Sequence, residues 1–179
     1  PGAVTIVVDR EGAQPALPEE VEDPAFRNAS MMIDSEDEVV RALHRQATGS
    51  LAESSAPRDR AEAMRAFVNR HIDDKNLATA FASASEVART GAGDCSEHGV
   101  LLAALLRADG IPSRVVTGLV YMPGIGERGE GAFGWHMWTQ AMIDGQWMDL
   151  DATLPVWFSV GHITTGTSSL AEGTGVEDM

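Results

Sequence analysis

The chain has 179 residues, 44% of them apolar and 22% charged, which suits one globular domain with its own core and is too little for two. Its 27 acidic residues against 13 basic ones give a formal charge of −14, which repels phosphate backbones and argues against nucleic acid as a partner. No stretch approaches the ~20 apolar residues that cross a bilayer, so no membrane insertion is expected and the chain reads as soluble. A start at Pro1 rather than Met is expected of a piece cut from a longer protein, which leaves compartment and oligomeric state open.

Ala3 to Asp9 alternates at strand period and dissolves into the Pro- and acid-rich segment Glu11 to Asp23, so one strand and a tether are predicted. Ser35 and Glu38 have capping-box spacing ahead of Val39, Val40 and Leu43, and Gly49 follows the run; Glu36 to Thr48 is predicted helical. Met64, Phe67, Val68 and Ile72 repeat at helical spacing and predict a second helix from about Arg58 to Ile72. A third, from about Cys95 to Ala108, has almost no polar face between Val100 and Leu106 and is expected to be the buried central helix. Asp109-Gly110 and Ile111-Pro112 end it.

Arg114 to Tyr121 follows as a strand, and the glycine-rich run Met122 to Gly134 as a mobile loop without a phosphate-loop ending. Trp135 to Ile143 and Gln146 to Asp151 then read as strands joined by Asp144-Gly145, a strong two-residue hairpin signal. The tail after Thr164 is mostly Gly, Ser, Thr and acid and is expected to fray. Helices first and an antiparallel sheet afterwards predict an α+β domain with the central helix packed on the sheet.

Cys95 is the only cysteine and cannot form an internal disulfide. It is followed by Trp135-His136-Met137-Trp138 and by Asp149-Leu150-Asp151, and a thiol, an imidazole and a carboxylate in that order point to nucleophilic catalysis. A thiol attacks well only once ionised, which a helix N-terminus and a neighbouring imidazolium both favour. With Asp94 as N-cap and Glu97 reaching back, Cys95 falls in the first helical turn, where outward amides could also hold an oxyanion. A two-residue turn pairs Ile143 with Gln146 and makes His136 and Asp151 diagonal neighbours on one sheet face, about 7–8 Å apart in backbone. On that reading His136, Trp138, Asp149 and Asp151 face Cys95, and Met137, Ala141, Met148 and Leu150 face away.

Asp149 competes with Asp151 for the carboxylate role, and His98, three residues after Cys95, is the rival base. A packed structural histidine is the favoured reading of His98. His44, His71 and His162 show no ligand spacing, so no metal and no cofactor are expected; His162 is read as capping a strand or turn. Trp147 and Trp157 are expected in the sheet core. Trp135 and Trp138 flank His136 and are candidates for an acyl-substrate groove.

Gly93-Asp94-Cys95-Ser96-Glu97-His98 resembles the G-D-C-x-E-H box of bacterial transglutaminase-like proteins, and Leu106 to Arg114 (LRADGIPSR) resembles the run that follows it there. His136-Met137-Trp138 and Trp147 to Thr153 (WMDLDAT) are similar to that family's H-A-W and W-x-x-x-D-P-T elements, with Met137 in place of a small residue and Ala152 in place of proline. The resemblance, from roughly Ser35 to Ile163, implies a papain-like α+β fold and a Cys95, His136, Asp151 triad forming a thioester on amide substrates. The expected partner is a protein or peptide, with hydrolysis favoured over amine transfer; a catalytically silent peptide- or protein-binding module is the alternative. It implies the division 1–30 as strand and tether left from an upstream region, 31–165 as the domain, and 166–179 as a flexible tail.

Overall fold

The computed structural model describes residues 14–75, 81–124, 129–154 and 161–171. Its elements run β1 (Gln14–Pro15), α1 (Pro18–Val21), a 3-10 turn (Pro24–Phe26), α2 (Glu38–Thr48), α3 (Pro57–His71), α4 (Ala84–Thr90), α5 (Cys95–Ala108), β2 (Ser113–Met122), β3 (Ala132–Ile143), β4 (Gln146–Leu150) and β5 (His162–Ser168). The strand expected at Ala3 to Asp9 and the place of Trp157 lie outside the described residues. No helix among the described residues is long and apolar enough to cross a membrane.

α2 starts two residues later than predicted because Asp37, not Ser35, is its N-cap: the Asp37 carboxylate accepts the Val39 N–H at 2.8 Å. Its apolar face, Val40, Leu43 and Ala47, is buried, as are Ala61, Met64 and Val68 of α3. α4 has no counterpart in the sequence reading. It is seven residues of mostly small side chains, capped by Ser83 and stopped at Gly91 in the left-handed conformation (φ 63°), too short to show a periodic stripe. α5 has the predicted bounds and is buried throughout from Glu97 to Arg107.

The strands form one antiparallel sheet in the order β1-β4-β3-β2-β5. Asp144 and Gly145 make the two-residue turn, both at positive φ (53° and 72°) as a type I′ turn requires, and Ile143 pairs with Gln146. β3 begins at Ala132, so the glycine-rich connection is shorter than expected, and residues 125–128 of it lie outside the described residues. The expected frayed tail is corrected only up to residue 171: Thr164 to Ser168 belong to β5, paired with β2, and Leu170 is buried, while residues 172–179 lie outside the described residues.

The two faces of the sheet hold the predicted sets of residues but are turned the other way. Val115, Met137, Ala141 and Leu150 join the α5 core, and Thr139 donates to the Gly99 carbonyl at 2.9 Å. Trp138 and Val116 are as deeply buried on the opposite face without joining that core. The reason is apolar matching: α5 is apolar on the side it offers the sheet, and the Met137, Ala141, Leu150 set buries more hydrocarbon against it than the His136, Trp138, Asp149 set would. Met137 itself lies over Gly99, whose missing side chain leaves the room.

Candidate active site

The first turn of α5 explains each letter of its box. Asp94 accepts the Ser96 N–H and the Ser96 hydroxyl, both at 2.8 Å, while Glu97 accepts the Asp94 N–H at 2.9 Å and the Ala82 N–H at 3.0 Å. Glu97 is fully buried, so this carboxylate bolts the approach loop to the helix start. A Cβ on Gly93 (φ 148°) would collide with the Cβ of Glu97, which is why the box opens on glycine. His98 is also fully buried, with Nδ1 donating to the Asp94 carbonyl at 2.6 Å and burial lowering its basicity. Cys95 opens this capped turn and is half-buried.

His136 comes from β3, and its Nε2 donates to Asp151 Oδ2 at 2.8 Å, so Nδ1 is left for the sulfur. Although the body of β3 turns this face away from α5, the His136 side chain meets Cys95 where the helix begins. Burial works against the charged ring, yet the hydrogen bonds and charges of Asp151 and Cys95 outweigh it and carry its pKa up to about 9. Burial likewise disfavours the charged form of Asp151 and so pushes its pKa up, but hydrogen bonds from His136 and His162 hold the carboxyl well below the usual range.

Asp151 sits one residue past β4 and is fixed from several sides. Its Oδ1 accepts the Thr153 N–H at 2.8 Å in an Asx turn. From α3, Arg65 donates to the Asp151 carbonyl at 3.3 Å and Asn69 to that of Ala152 at 2.8 Å. Ala152, the departure from the family proline, is buried here.

Of the remaining sequence candidates, Asp149 does not reach His136; it accepts Trp138 Nε1 at 2.7 Å and Gln140 Nε2 at 2.9 Å. Trp138 is corrected by the same bond: 1% exposed with its N–H committed, it has no surface for a substrate. Trp135 is 77% exposed and shares its side of β3 with exposed Phe133. Sequence reasoning missed His162, whose Nε2 donates to the same Asp151 Oδ2 at 3.0 Å. The Gly- and Thr-rich stretch around it gives no sign that it pairs with β2. His136, Asp151 and His162 offer three ligand atoms within 4.8 Å of one another, a spacing a metal could use only by displacing the two donated protons.

A buried central helix presenting a cysteine at its N-terminus to an antiparallel sheet that carries a histidine and an aspartate defines the papain-like transglutaminase core. Residues 42–152 match the sequence profile of the transglutaminase-like superfamily, and the chain belongs to that superfamily. Comparison with curated proteins finds no match. Among solved structures, a candidate cysteine protease from Cytophaga hutchinsonii is 21% identical, with a TM-score of 0.65 over 90% of this chain and 53% of its own. The periplasmic domain of TgpA from Pseudomonas aeruginosa, bound to ethylmercury, is 24% identical, with a TM-score of 0.50 over 75% of this chain and 51% of its own. The chain therefore spans about half the length of these structures, and the likeness is one of fold.

Proposed function

We propose that the chain cleaves amide bonds of a protein or peptide through a thioester on Cys95. The observation that carries this is the His136 ring held between the half-buried Cys95 and a buried carboxylate, its protonated form favoured by both. The Cys95 thiolate attacks the carbonyl carbon, and the negative charge passes to oxygen beside the amides of the first α5 turn. His136 gives its proton to the nitrogen as the C–N bond breaks, and Asp151 holds the ring's orientation throughout. The free imidazole then takes a proton from water, whose oxygen displaces the sulfur and yields a carboxylic acid. Hydrolysis is favoured over amine transfer because water, at its bulk concentration, needs no binding site of its own, whereas an amine must be held against the sulfur. Exposed Trp135, with Phe133 and Tyr121, supplies an apolar strip on the side of the sheet that α5 covers, as a surface for the substrate chain.

The test is reactivity before turnover. Iodoacetamide is expected to label Cys95 faster than a free thiol near pH 6, and mass spectrometry after incubation with peptide pools to find an acylated Cys95 that Cys95→Ala lacks. Ala is tolerated in a first helical turn, so the variant keeps its fold. Slow labelling together with retained peptide binding would mean the silent binding module instead.

A further inference from the structure

We propose that His162 is a positioning residue of this site, donating a second hydrogen bond to the Asp151 oxygen that holds His136 and so setting how firmly the carboxylate grips the imidazolium. This rests on the functional reading above. Asp151 Oδ2 receives His136 Nε2 at 2.8 Å and His162 Nε2 at 3.0 Å, while Oδ1 receives backbone N–H groups of Thr153 and Leu154 at 2.8 and 3.4 Å. An ionised carboxylate only accepts, so both ring nitrogens must carry hydrogen. Two donors on one oxygen divide its charge, and each bond is weaker than it would be alone.

The second ring is built in rather than incidental. His162 is 4% exposed, opens β5 opposite Val120, and meets the edge of Trp138 at 5.2 Å and 81°. The His136 ring lies 5.7 Å from it. Gly118 allows this crossing: a Cβ there would strike the Ile163 carbonyl oxygen and come within 2.8 Å of the Trp138 ring, and the β2–β5 register shifts beside it. His162 also lies ten residues beyond the stretch that marks the superfamily, which ends at residue 152.

Removing the His162 donor returns the whole of Oδ2 to His136, so its imidazolium should persist to higher pH. The other groups bearing on this cluster stay in place: Cys95, Asp94 and His98 on the α5 turn, Arg65 on α3, Lys75 after it, and Asp149 on β4. The experiment is an NMR titration of the imidazole nitrogens in the full chain, made with nitrogen-labelled histidine. The His136 midpoint is expected to rise by about one pH unit in His162→Leu, the size set by losing one hydrogen bond. His162→Gln, whose amide nitrogen reaches the same oxygen, is expected to restore the wild-type midpoint. His162→Ala serves should the leucine disturb folding. An unchanged or lowered midpoint in a folded leucine or alanine variant overturns the proposal, because a residue that only fills space would leave the titration alone. So would stoichiometric zinc binding to the wild type that His162→Leu abolishes, which would make the cluster a metal site. Failure of Cys95 to form a thioester would sink the functional reading and leave the titration result standing.

Discussion

In the proposed mechanism His136 carries the proton that the leaving amine needs, and its environment sets the pH range in which it can give it. With its pKa carried up to about 9, the ring is protonated at neutral pH, and turnover should fall as pH rises through about 9. Alkylation of Cys95 by iodoacetamide needs only the thiolate and should not fall there, so parallel decline of both would place the proton elsewhere. Linkage gives the matching stability signs. A ring raised from 6.5 stabilises the fold fully below 6.5 and loses that contribution through about 9; a carboxyl lowered from 3.8 stabilises above 3.8 and loses it as pH falls. His136→Ala should cost roughly 10²–10⁴-fold in rate, while the enclosed His98, changed to Ala, should cost mainly stability by leaving a cavity. The reverse order would reassign the base. That Cys95, His136 and Asp151 come together could be read from the sequence because rare residue types stand there in a set order. His162 could not, since its bond to Asp151 exists only once β5 pairs with β2.

The elements that sequence reading recovered are those whose signals are local. α5 announces itself by an apolar run between a capping box and Gly110, and the β3–β4 hairpin by Asp144-Gly145. α4 and β5 were lost because small and hydroxyl residues show little periodicity, and their stability comes from what they pack on. Which sheet face met α5 was misjudged for a related reason: alternation sorts residues into two sets without saying which set the helix prefers. The approach to α5 offers the sharpest test at this scale. Gly93→Ala puts a methyl group into the Glu97 side chain and asks alanine to hold φ 148°, so the box must open. Lost capping and overpacking together predict a loss of about 2–3 kcal/mol in urea unfolding. The Cys95 alkylation rate should fall with it, because the displaced turn no longer presents the sulfur to His136; an unperturbed rate would show that the glycine is not what places the thiol.

Across the molecule, the described ends and the core are joined at a buried cation. Arg107, near the end of α5, is 6% exposed, and its guanidinium donates to the carbonyls of Asn28 at 2.7 Å, Ser113 at 2.9 Å and Ser169 at 2.7 Å. These belong to the segment before α2, the start of β2 and the stretch after β5. Burial pushes its pKa down to about 10, still high enough to keep the charge at neutral pH. The neighbouring residues of the LRADGIPSR run act likewise: Asp109 accepts from Arg60 at 2.8 Å, and Arg114 lies over Trp147 at 4.0 Å while bonding Glu20 at 2.6 Å. That run looked like a family signature in the sequence; in the fold it ties helices, sheet and described ends together. Arg107→Leu keeps the bulk and strands three carbonyls, that of Ser113 buried and those of Asn28 and Ser169 nearer the surface, a buried one costing about 1–3 kcal/mol unless water reaches it. A net loss of about 3 kcal/mol in urea unfolding is expected, since the desolvated charge disappears with its bonds. The folded fraction should alkylate Cys95 at the wild-type rate, because Arg107 lies at the opposite end of α5 from the thiol. Wild-type stability in Arg107→Leu would mean that the three chain segments hold together without it.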